Sequence, residues 1–304
     1  MKADIFAGAF ALLVMFLICI GLIHQVNSHD SVVEPQTEGS LRLATYNVHY
    51  ILMNKTGGPW SVAGWEKRRT PLNSAVKSLD ADIIGFQEME SFVSGNDGSV
   101  NLTRDWLLEN NPEYAAAAIG DWQEFPSTQP IFYRKDRLSP IDQGWFFFSE
   151  TPEVIYSRTF NGSYPAFASW ARFEDKTDGQ TFIVYNVHLE FKSSSNRLLS
   201  AKLIAERIKN REVADEPVFL LGDLNAMAGF KTVKILENEA NLTFRPIPGP
   251  TYHWNMGLNL FGAIDHVGYS AGIEPEGNVT VLQQQFNDEW PTDHYPVIAD
   301  FRIN

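Results

Sequence analysis

The sequence predicts an α+β domain of packed β-sheets that follows one amino-terminal transmembrane helix. Two observations predict the domain. From residue 41 to residue 304 there are many short apolar runs and few amphipathic stretches, and the apolar runs follow one another at hairpin-length spacings. A doubly wound parallel sheet would alternate strands and helices instead. The third observation is a long apolar run before the domain, which predicts the transmembrane helix.

The amino-terminal run, residues 5–23, contains 19 consecutive uncharged and mostly apolar residues, enough to cross a bilayer. We therefore expect residues 1–23 to be a membrane anchor, with a cleaved signal sequence as the alternative. Lys2 on the short side favours a cytoplasmic amino terminus, which would put the domain in the periplasm or outside the cell. Residues 24–40 are polar and without periodicity, so we interpret them as a tether to a single domain at 41–304.

Composition excludes several classes of site. The formal net charge of −13 gives the chain no general attraction for polyanions, although a local basic rim at 67–69 and 134–137 leaves nuclease activity open. The single cysteine, Cys19, lies in the apolar run, so the domain has neither a disulfide nor a cysteine-ligated zinc.

The elements of the domain follow from local patterns, in chain order. The first strand alternates over 41–47 and ends at Asn47, and a helix follows with a possible second start at Thr70-Pro71. Helices are predicted at 65–79, 101–109, 195–209 and 230–236. Further strands are predicted at 82–88, 114–119, 130–134, 144–148, 166–173, 181–188, 218–222, 263–269, 279–285 and 295–303.

Polar side chains stand at the ends of these strands. In GDLNA, the apolar strand at 218–222 stops at a glycine and is followed by Asp223 and Asn225, which point to one side if the backbone stays extended. One such residue is more often a turn former than a ligand, but the pattern repeats across the chain. The set comprises Asn47, Glu88, His188, Asp223 with Asn225, Asp265-His266 and Asp293-His294.

This set suits a particular chemistry. Glu88, Asp293 and Asn47 offer the hard oxygen ligands that Mg²⁺ prefers, with Mn²⁺ and Ca²⁺ as alternatives. His188 and His294 are suited to moving protons, and Asp265 is a candidate partner that fixes an imidazole tautomer. The sequence contains neither a G-x-S-x-G elbow nor a G-x-x-x-x-G-K-[ST] loop. We therefore predict metal-assisted attack of water on an ester, above all a phosphate ester.

Six motifs together resemble the endonuclease/exonuclease/phosphatase superfamily, the deoxyribonuclease-I-like fold. In order along the chain they are TYN at 45–47, DIIGFQE at 82–88, YNVHLE at 185–190, GDLNA at 222–226, IDHV at 264–267 and TDHYPV at 292–297. The segments 130–153 and 169–173 further resemble a branch of small, mostly bacterial members. The likeness covers the whole of 41–304.

The resemblance implies a four-layer α/β/β/α sandwich of two mixed sheets flanked by helices, with the site at one sheet edge. It implies that Glu88 is the principal metal ligand, with Asn47 and Asp293 near the ion. It implies catalytic roles for five residues: Asp223 and Asn225 would orient water and phosphoryl oxygens, His294 held by Asp265 would transfer a proton or bind phosphate, and His188 would contact the phosphate or protonate the leaving oxygen.

Three further residues are weaker candidates for substrate binding. Tyr133 and Arg134 could reach the phosphate, although strand packing with a solvated arginine explains them equally well. His49 follows Asn47 by two residues and is otherwise read as a turn histidine. Met89 and Glu90 follow Glu88, where abasic-site endonucleases place an x-Lys pair, which counts against that subgroup.

We expect a Mg²⁺-dependent hydrolase of phosphate mono- or diesters, acting as a monomer with no protein partner. Its phosphorylated substrate is a small molecule, a lipid headgroup as for sphingomyelinases, or extracytoplasmic DNA or RNA. The alternatives to a membrane-anchored enzyme are a protein secreted after signal cleavage and a catalytically silent, membrane-tethered binding protein.

Overall fold

The computed structural model of the chain describes residues 2–29, 31–92, 100–211, 213 and 215–304, without the side chains of residues 2–8 and 11. Within these ranges the helices are α1 Lys2–Asn27, α2 Val62–Leu79, α3 Leu102–Asn110, α4 Ser194–Lys209 and α5 Lys231–Glu239. The strands are β1 Leu41–Asn47, β2 Ile51–Leu52, β3 Ile83–Gln87, β4 Ser91–Phe92, β5 Tyr114–Ala117, β6 Ile131–Arg134, β7 Leu138–Phe147, β8 Phe167–Asp175, β9 Thr181–His188, β10 Val218–Asp223, β11 Thr243–Phe244, β12 Asp265–Tyr269, β13 Ile273–Val281 and β14 Val297–Ile303.

Two mixed six-stranded sheets form the centre of the fold. Their strand orders are β13-β14-β1-β3-β6-β5 and β11-β12-β10-β9-β8-β7, and β2 pairs with β4 separately. Each sheet has one parallel pair at its middle, β1 with β3 and β9 with β10, which is where the predicted polar strand ends occur. The structure therefore has the mixed α+β architecture expected from the sequence.

Strand side chains alternate between two cores, because both faces of each sheet are covered. Leu43 and Leu221 come from different sheets and share the central core, so the sheets pack face to face. Their neighbours Ala44 and Leu220 point outward, the first against α2 and α3, the second against α4 and α5. Each such buried leucine contributes roughly 1.5–3 kcal/mol to folding.

A pair of buried amides joins the two sheets across the central core. The Gln87 side chain on β3 donates from Nε2 to Asn186 Oδ1 on β9 at 2.6 Å. The Asn186 amide in turn donates to the carbonyl of Phe86 at 2.8 Å. Both amides are fully buried, so these hydrogen bonds offset the cost of removing the groups from water.

The helices begin close to the predicted positions. Asn101 caps α3, as predicted, by accepting from the amide of Arg104 at 3.0 Å. α4 is capped by Ser193, two residues before the predicted Ser195. The predicted second start at Thr70-Pro71 is wrong: Ser61 caps a continuous α2, and Pro71 is buried inside it. Packing against the sheet outweighs the local cost of that proline.

The predicted membrane segment, 5–23, falls within α1, but the side chains of residues 5–8 and 11 lie outside the described part of the chain. Across the described residues, no helix reaches the length and hydropathy of a membrane span. The segment expected to be a tether lies against the domain. Ser31 Oγ donates to the Val281 carbonyl at 2.6 Å, and Gln36 Nε2 donates to Asp82 Oδ2 at 2.7 Å.

Candidate active site

Strand register brings the predicted polar residues to one edge of both sheets. In the parallel pair of the first sheet, Asn47 lies opposite Gln87, directly before Glu88. In the second sheet, Asp223 lies opposite both His188 and Asp265. Because the sheets face each other, these two groups of strand ends open into the same cleft.

Asn47 connects the two sheets at this edge. Its Nδ2 lies 3.2 Å from Glu88 Oε1 and 3.3 Å from Asp223 Oδ2, whereas its Oδ1 accepts from the backbone amide of His49 at 3.2 Å. The amide nitrogen therefore faces the carboxylates, and a role for Asn47 as a metal ligand requires the amide to turn by 180°.

His294 and His188 flank the Asp223 carboxylate. His294 Nδ1 lies 2.9 Å from Asp265 Oδ2, a hydrogen bond between two buried groups. Its Nε2 lies 3.8 Å from Asp223 Oδ2, and His188 Nε2 lies 3.6 Å from the same oxygen and 3.9 Å from Glu88 Oε1. One carboxylate oxygen thus lies between two imidazoles.

Asn225 shapes the turn after β10 rather than extending it. Its backbone amide donates to Asp223 Oδ1 at 2.8 Å, and its Nδ2 donates to the Leu189 carbonyl at 2.9 Å. The residue adopts a left-handed φ of 45°, so the extended backbone assumed from the sequence does not occur there. Asn225 nevertheless lines the cleft beside Asp223.

Two other site residues also adopt left-handed backbone conformations, Glu88 with φ 55° and His49 with φ 62°. Such conformations cost of order 1–3 kcal/mol for residues other than glycine. Buried hydrogen bonds hold the segment around His49: Arg68 donates to the carbonyls of Val48 at 2.7 Å and His49 at 2.5 Å. The sequence therefore maintains a strained turn at the edge of the site.

Asp293 enters the cleft from the loop before β14. The Thr292 hydroxyl anchors that loop by donating to the Asn47 carbonyl at 2.9 Å, and it lies 3.3 Å from Asp293 Oδ1. The Asp293 carbonyl accepts from the amide of His253 at 2.8 Å. These contacts fix the Asp293 carboxylate near β1, on the side of Glu88.

The carboxylates of the site repel one another. Burial, followed by the charge of Asp293, raises the pKa of Glu88 to about 7. Burial and then the charge of Asp265 raise the pKa of Asp223 to about 6. No lysine or arginine of the described chain lines the cleft to offset these charges. The site therefore has an excess of negative charge that a cation would neutralise.

The two histidines have opposite charge states at neutral pH. Burial alone would lower the pKa of His294, but the hydrogen-bonded charge of Asp265 and the nearby Asp223 raise it to about 10. Burial lowers the pKa of His188, and the charge of Asp223 only partly opposes this effect. His294 is therefore protonated and His188 neutral.

The donor set fits a divalent cation. Carboxylate and amide oxygens are the ligands of Mg²⁺, Mn²⁺ and Ca²⁺, and Asp265 Oδ1 is buried without a hydrogen-bond partner among the described residues. Asp223, Asp265 and His294 also have ligand atoms within 4.8 Å of one another. His294 Nδ1 is already bound to Asp265, so this imidazole could serve as a ligand only through Nε2.

The cleft has a volume of about 720 Å³ and is largely aromatic. Sequence analysis did not identify its aromatic residues, because most of them come from loops and two-residue strands without a recurring pattern. Tyr252 is one of them, and its ring lies 5.0 Å from the imidazole of His294 at an interplanar angle of 58°. The aromatic lining comprises Tyr50, Trp60, Phe92, Tyr156, Tyr164, Phe167, Phe191 and Tyr252.

Of the three weaker candidates, only His49 lines the cleft. Its imidazole is buried 5.0 Å from the Trp60 ring, and neither ring nitrogen has a partner among the described residues. Tyr133 and Arg134, which were expected to reach the phosphate, do not line the cleft. Tyr133 pairs with Ile83, at the end of β3 that lies away from Glu88. Tyr133 packs on Phe173, and Arg134 forms an ion pair with Asp80.

Comparisons with known proteins agree with this geometry. Residues 44–294 match the model of the Endonuclease/Exonuclease/phosphatase family. No curated protein sequence matches the chain. Among solved structures, a family protein from Bacteroides thetaiotaomicron is 24% identical with a TM-score of 0.73, covering 88% of this chain and 98% of its own.

Two further structures share the fold. A mannosyl-6-phosphatase from Bacteroides thetaiotaomicron is 24% identical with a TM-score of 0.74, covering 86% of this chain and 99% of its own. The catalytic domain of human Nocturnin is 16% identical with a TM-score of 0.64, and the match covers 90% of this chain and 96% of the Nocturnin chain. At these identities the likeness extends to the fold alone, whereas the family match spans most of the sequence. The chain belongs to the endonuclease/exonuclease/phosphatase family.

Proposed function

We propose that this chain is a divalent-metal-dependent phosphoesterase that hydrolyses a phosphate ester by attack of water. The observation that carries the proposal is the meeting of Glu88, Asp223 and two histidines of opposite charge in one cleft. Its neighbours in fold include a mannosyl-6-phosphatase, which is consistent with such chemistry. A purely structural role would not require buried carboxylates of raised pKa at the edge of both sheets.

Hydrolysis forms a bond from the water oxygen to phosphorus, breaks the bond from phosphorus to the leaving oxygen, and transfers one proton to that oxygen. A cation held by Glu88 and Asp293, with Asn47 adjacent, would offset the phosphoryl charge. Asp223 accepts the proton of the water, because its raised pKa lies close to neutral pH. Protonated His294 binds a phosphoryl oxygen, and His188, whose Nε2 lies 3.6 Å from Asp223 Oδ2, passes the proton that Asp223 took from the water on to the leaving oxygen.

The lining of the cleft favours a compact substrate over a nucleic acid. Nucleic-acid binding relies on several lysine or arginine contacts to phosphates. No described lining residue is a lysine or an arginine, and two ammonium groups lie over rings of the lining: Lys55 over the Trp60 ring at 5.1 Å and Lys192 over the Phe191 ring at 5.0 Å. We therefore place nuclease activity second to hydrolysis of a small phosphate ester.

The test is an assay of the purified full-length chain on p-nitrophenyl phosphate and bis-p-nitrophenyl phosphate. We expect hydrolysis with Mg²⁺ or Mn²⁺ and none with EDTA, and we expect Glu88→Gln and His294→Ala each to reduce kcat by at least ~100-fold. Glu109→Gln, an exposed change on α3, is the matched control. Undiminished turnover in both site variants would refute the mechanism, and metal binding without turnover would favour the binding-protein alternative.

An extracytoplasmic location is a separate proposal that rests on the apolar sequence of residues 5–23. Protease treatment of intact cells or spheroplasts tests it. Digestion of the domain without lysis is the expected result, and protection until lysis would contradict it.

A further inference from the structure

The cleft extends beyond the catalytic groups into a region that the proposed reaction does not use. We define the leaving-group subsite as Glu90 with Tyr50, Tyr156, Tyr164 and Phe92, all of which line the cleft. The Tyr50 and Phe92 rings lie 5.6 Å apart on one side. Tyr164 adjoins the catalytic groups, since its ring lies 5.7 Å from that of His188.

Glu90 is directed into this subsite by a tight turn after β3. The Glu90 amide donates to the Glu88 carbonyl at 2.8 Å, and the Glu90 carbonyl accepts from the amide of Ile51 at 2.9 Å. The backbone is thus fixed on both sides of the residue, while the half-buried carboxylate lines the cleft. Among the described residues it has no ion-pair partner, so its natural complement is a hydrogen-bond donor on a ligand.

The three tyrosines supply hydroxyl groups around that carboxylate. Burial, and then nearby carboxylates that include Glu90, raise the pKa of Tyr50, Tyr156 and Tyr164. A tyrosine hydroxyl donates one hydrogen bond and can also accept. The Tyr156 hydroxyl already donates to the Trp122 carbonyl at 2.6 Å and the Tyr164 hydroxyl to the Leu189 carbonyl at 3.3 Å, which leaves both oxygens able to accept.

The combination of groups selects one kind of ligand. A quaternary ammonium would be attracted by the Glu90 carboxylate and by the ring faces, but it has no hydrogen to donate and would leave the tyrosine oxygens without a donor. An aliphatic group would leave Glu90 buried and unpaired, which is costly. A polyhydroxylated ring presents C–H faces to aromatic side chains, and its hydroxyls donate to a carboxylate and exchange hydrogen bonds with tyrosines.

We infer that the leaving group of the substrate is a polyhydroxylated, sugar-like alcohol, and that Glu90 selects it by accepting hydrogen bonds from its hydroxyls. This inference rests on the proposed phosphoesterase activity. Glu90 takes no part in the bond-breaking step. Its effect is on which ester is hydrolysed, measured as a ratio of kcat/KM values.

The test compares two esters that differ only in hydrogen-bonding groups, glucose 6-phosphate and cyclohexylmethyl phosphate. For the full-length protein we expect kcat/KM to be at least ~100-fold higher for the sugar ester, because a site built for hydroxyls rejects an analogue that lacks them. Glu90→Ala should reduce that ratio by ~10–100-fold and Tyr156→Phe by a smaller factor. The exposed Glu109→Gln control should leave the ratio within ~2-fold.

A second measurement separates this inference from the proposed function. Ligand-observed NMR in EDTA should detect binding of glucose 6-phosphate to the full-length protein and weaker binding to Glu90→Ala. Binding without hydrolysis in any metal would support the subsite and refute the phosphoesterase. Three results would overturn the inference and leave the phosphoesterase intact. They are hydrolysis of the two esters with equal kcat/KM, a kcat/KM ratio that Glu90→Ala does not change, and preferred hydrolysis of phosphocholine.

Discussion

Replacing Asp265 with asparagine isolates the role of the charge that holds His294. The Asp265 carboxylate lies 2.9 Å from His294 Nδ1, and both side chains are almost entirely buried. Asparagine has nearly the same shape, and its carbonyl can still accept the imidazole N–H. The negative charge is lost, so the protonated imidazole loses its main stabilising partner.

The magnitude follows from the kind of interaction that is removed. A buried hydrogen bond to a charged group is worth about 1.5–3 kcal/mol, which corresponds to a decrease in kcat of roughly 10–150-fold. With the charge of Asp265 gone, burial opposes only the charges of Asp223 and Asp293, and the pKa of His294 falls from about 10 towards its ordinary value. Activity of the variant should therefore increase as the pH is lowered from 8 towards 7, unlike that of the wild type, and should fall again near pH 6 as Asp223 becomes protonated.

The same pKa shift has a consequence for stability. Because the folded-state pKa of His294 lies above its unfolded value, the pair contributes stability that is complete below about pH 6.5 and lost as the pH rises through about 10. The assay combines kcat against pH with the ¹⁵N chemical shifts of His294. A variant with a neutral imidazole at pH 7.5 and a wild-type kcat would show that the charge of His294 is not used.

Three other perturbations test the fold and its charges. Gly222→Ala should lower the free energy of unfolding in urea by at least ~3 kcal/mol, since a Cβ there would lie 2.0 Å from the Val187 carbonyl oxygen. Gly229→Ala is the control: its Cβ meets no atom within 4 Å, so it should cost only about 1 kcal/mol. Equal costs for the two variants would contradict this packing. Burial lowers the pKa of His253 to about 3, so the free energy of unfolding should fall by about 2 kcal/mol between pH 6.5 and pH 5. His253→Gln should abolish that loss. A variant with the same pH dependence as the wild type would contradict this expectation. Glu88→Gln should raise the Tm of the metal-free protein at pH 8, because burial penalises the charged carboxylate above its unfolded pKa; a lower Tm would count against this.

The parts of the site that lie at strand ends could be predicted from the sequence. An apolar run that stops at Asn47, Glu88 or Asp223 fixes both the strand and the position of the polar group relative to it. The pairing of neighbouring strands then brings these polar strand ends together, and no other sequence feature is needed to predict it. The expectation for Tyr133 and Arg134 failed because periodicity identifies a strand but not which of its ends pairs near the site.

The aromatic part of the cleft could not be predicted in this way. Tyr156 and Tyr164 lie in a long irregular segment between β7 and β8, where neither helical nor strand periodicity applies. The turn at Asn225 was also missed, because the left-handed backbone depends on contacts with Leu189 that are distant in sequence. Pro71 shows the reverse case, in which tertiary packing overrides a clear local signal.

The buried amide pair, Gln87 and Asn186, fixes how the two sheets are aligned and therefore how the cleft is assembled. Each sheet supplies only part of the catalytic set, so a slide of one sheet by a single residue would separate Asn47 from Asp223. An apolar interface alone would tolerate such slippage, whereas Gln87 and Asn186 are satisfied in one alignment only. Replacing both with leucine could yield a domain that is equally stable yet inactive, with the two halves of its catalytic set out of register.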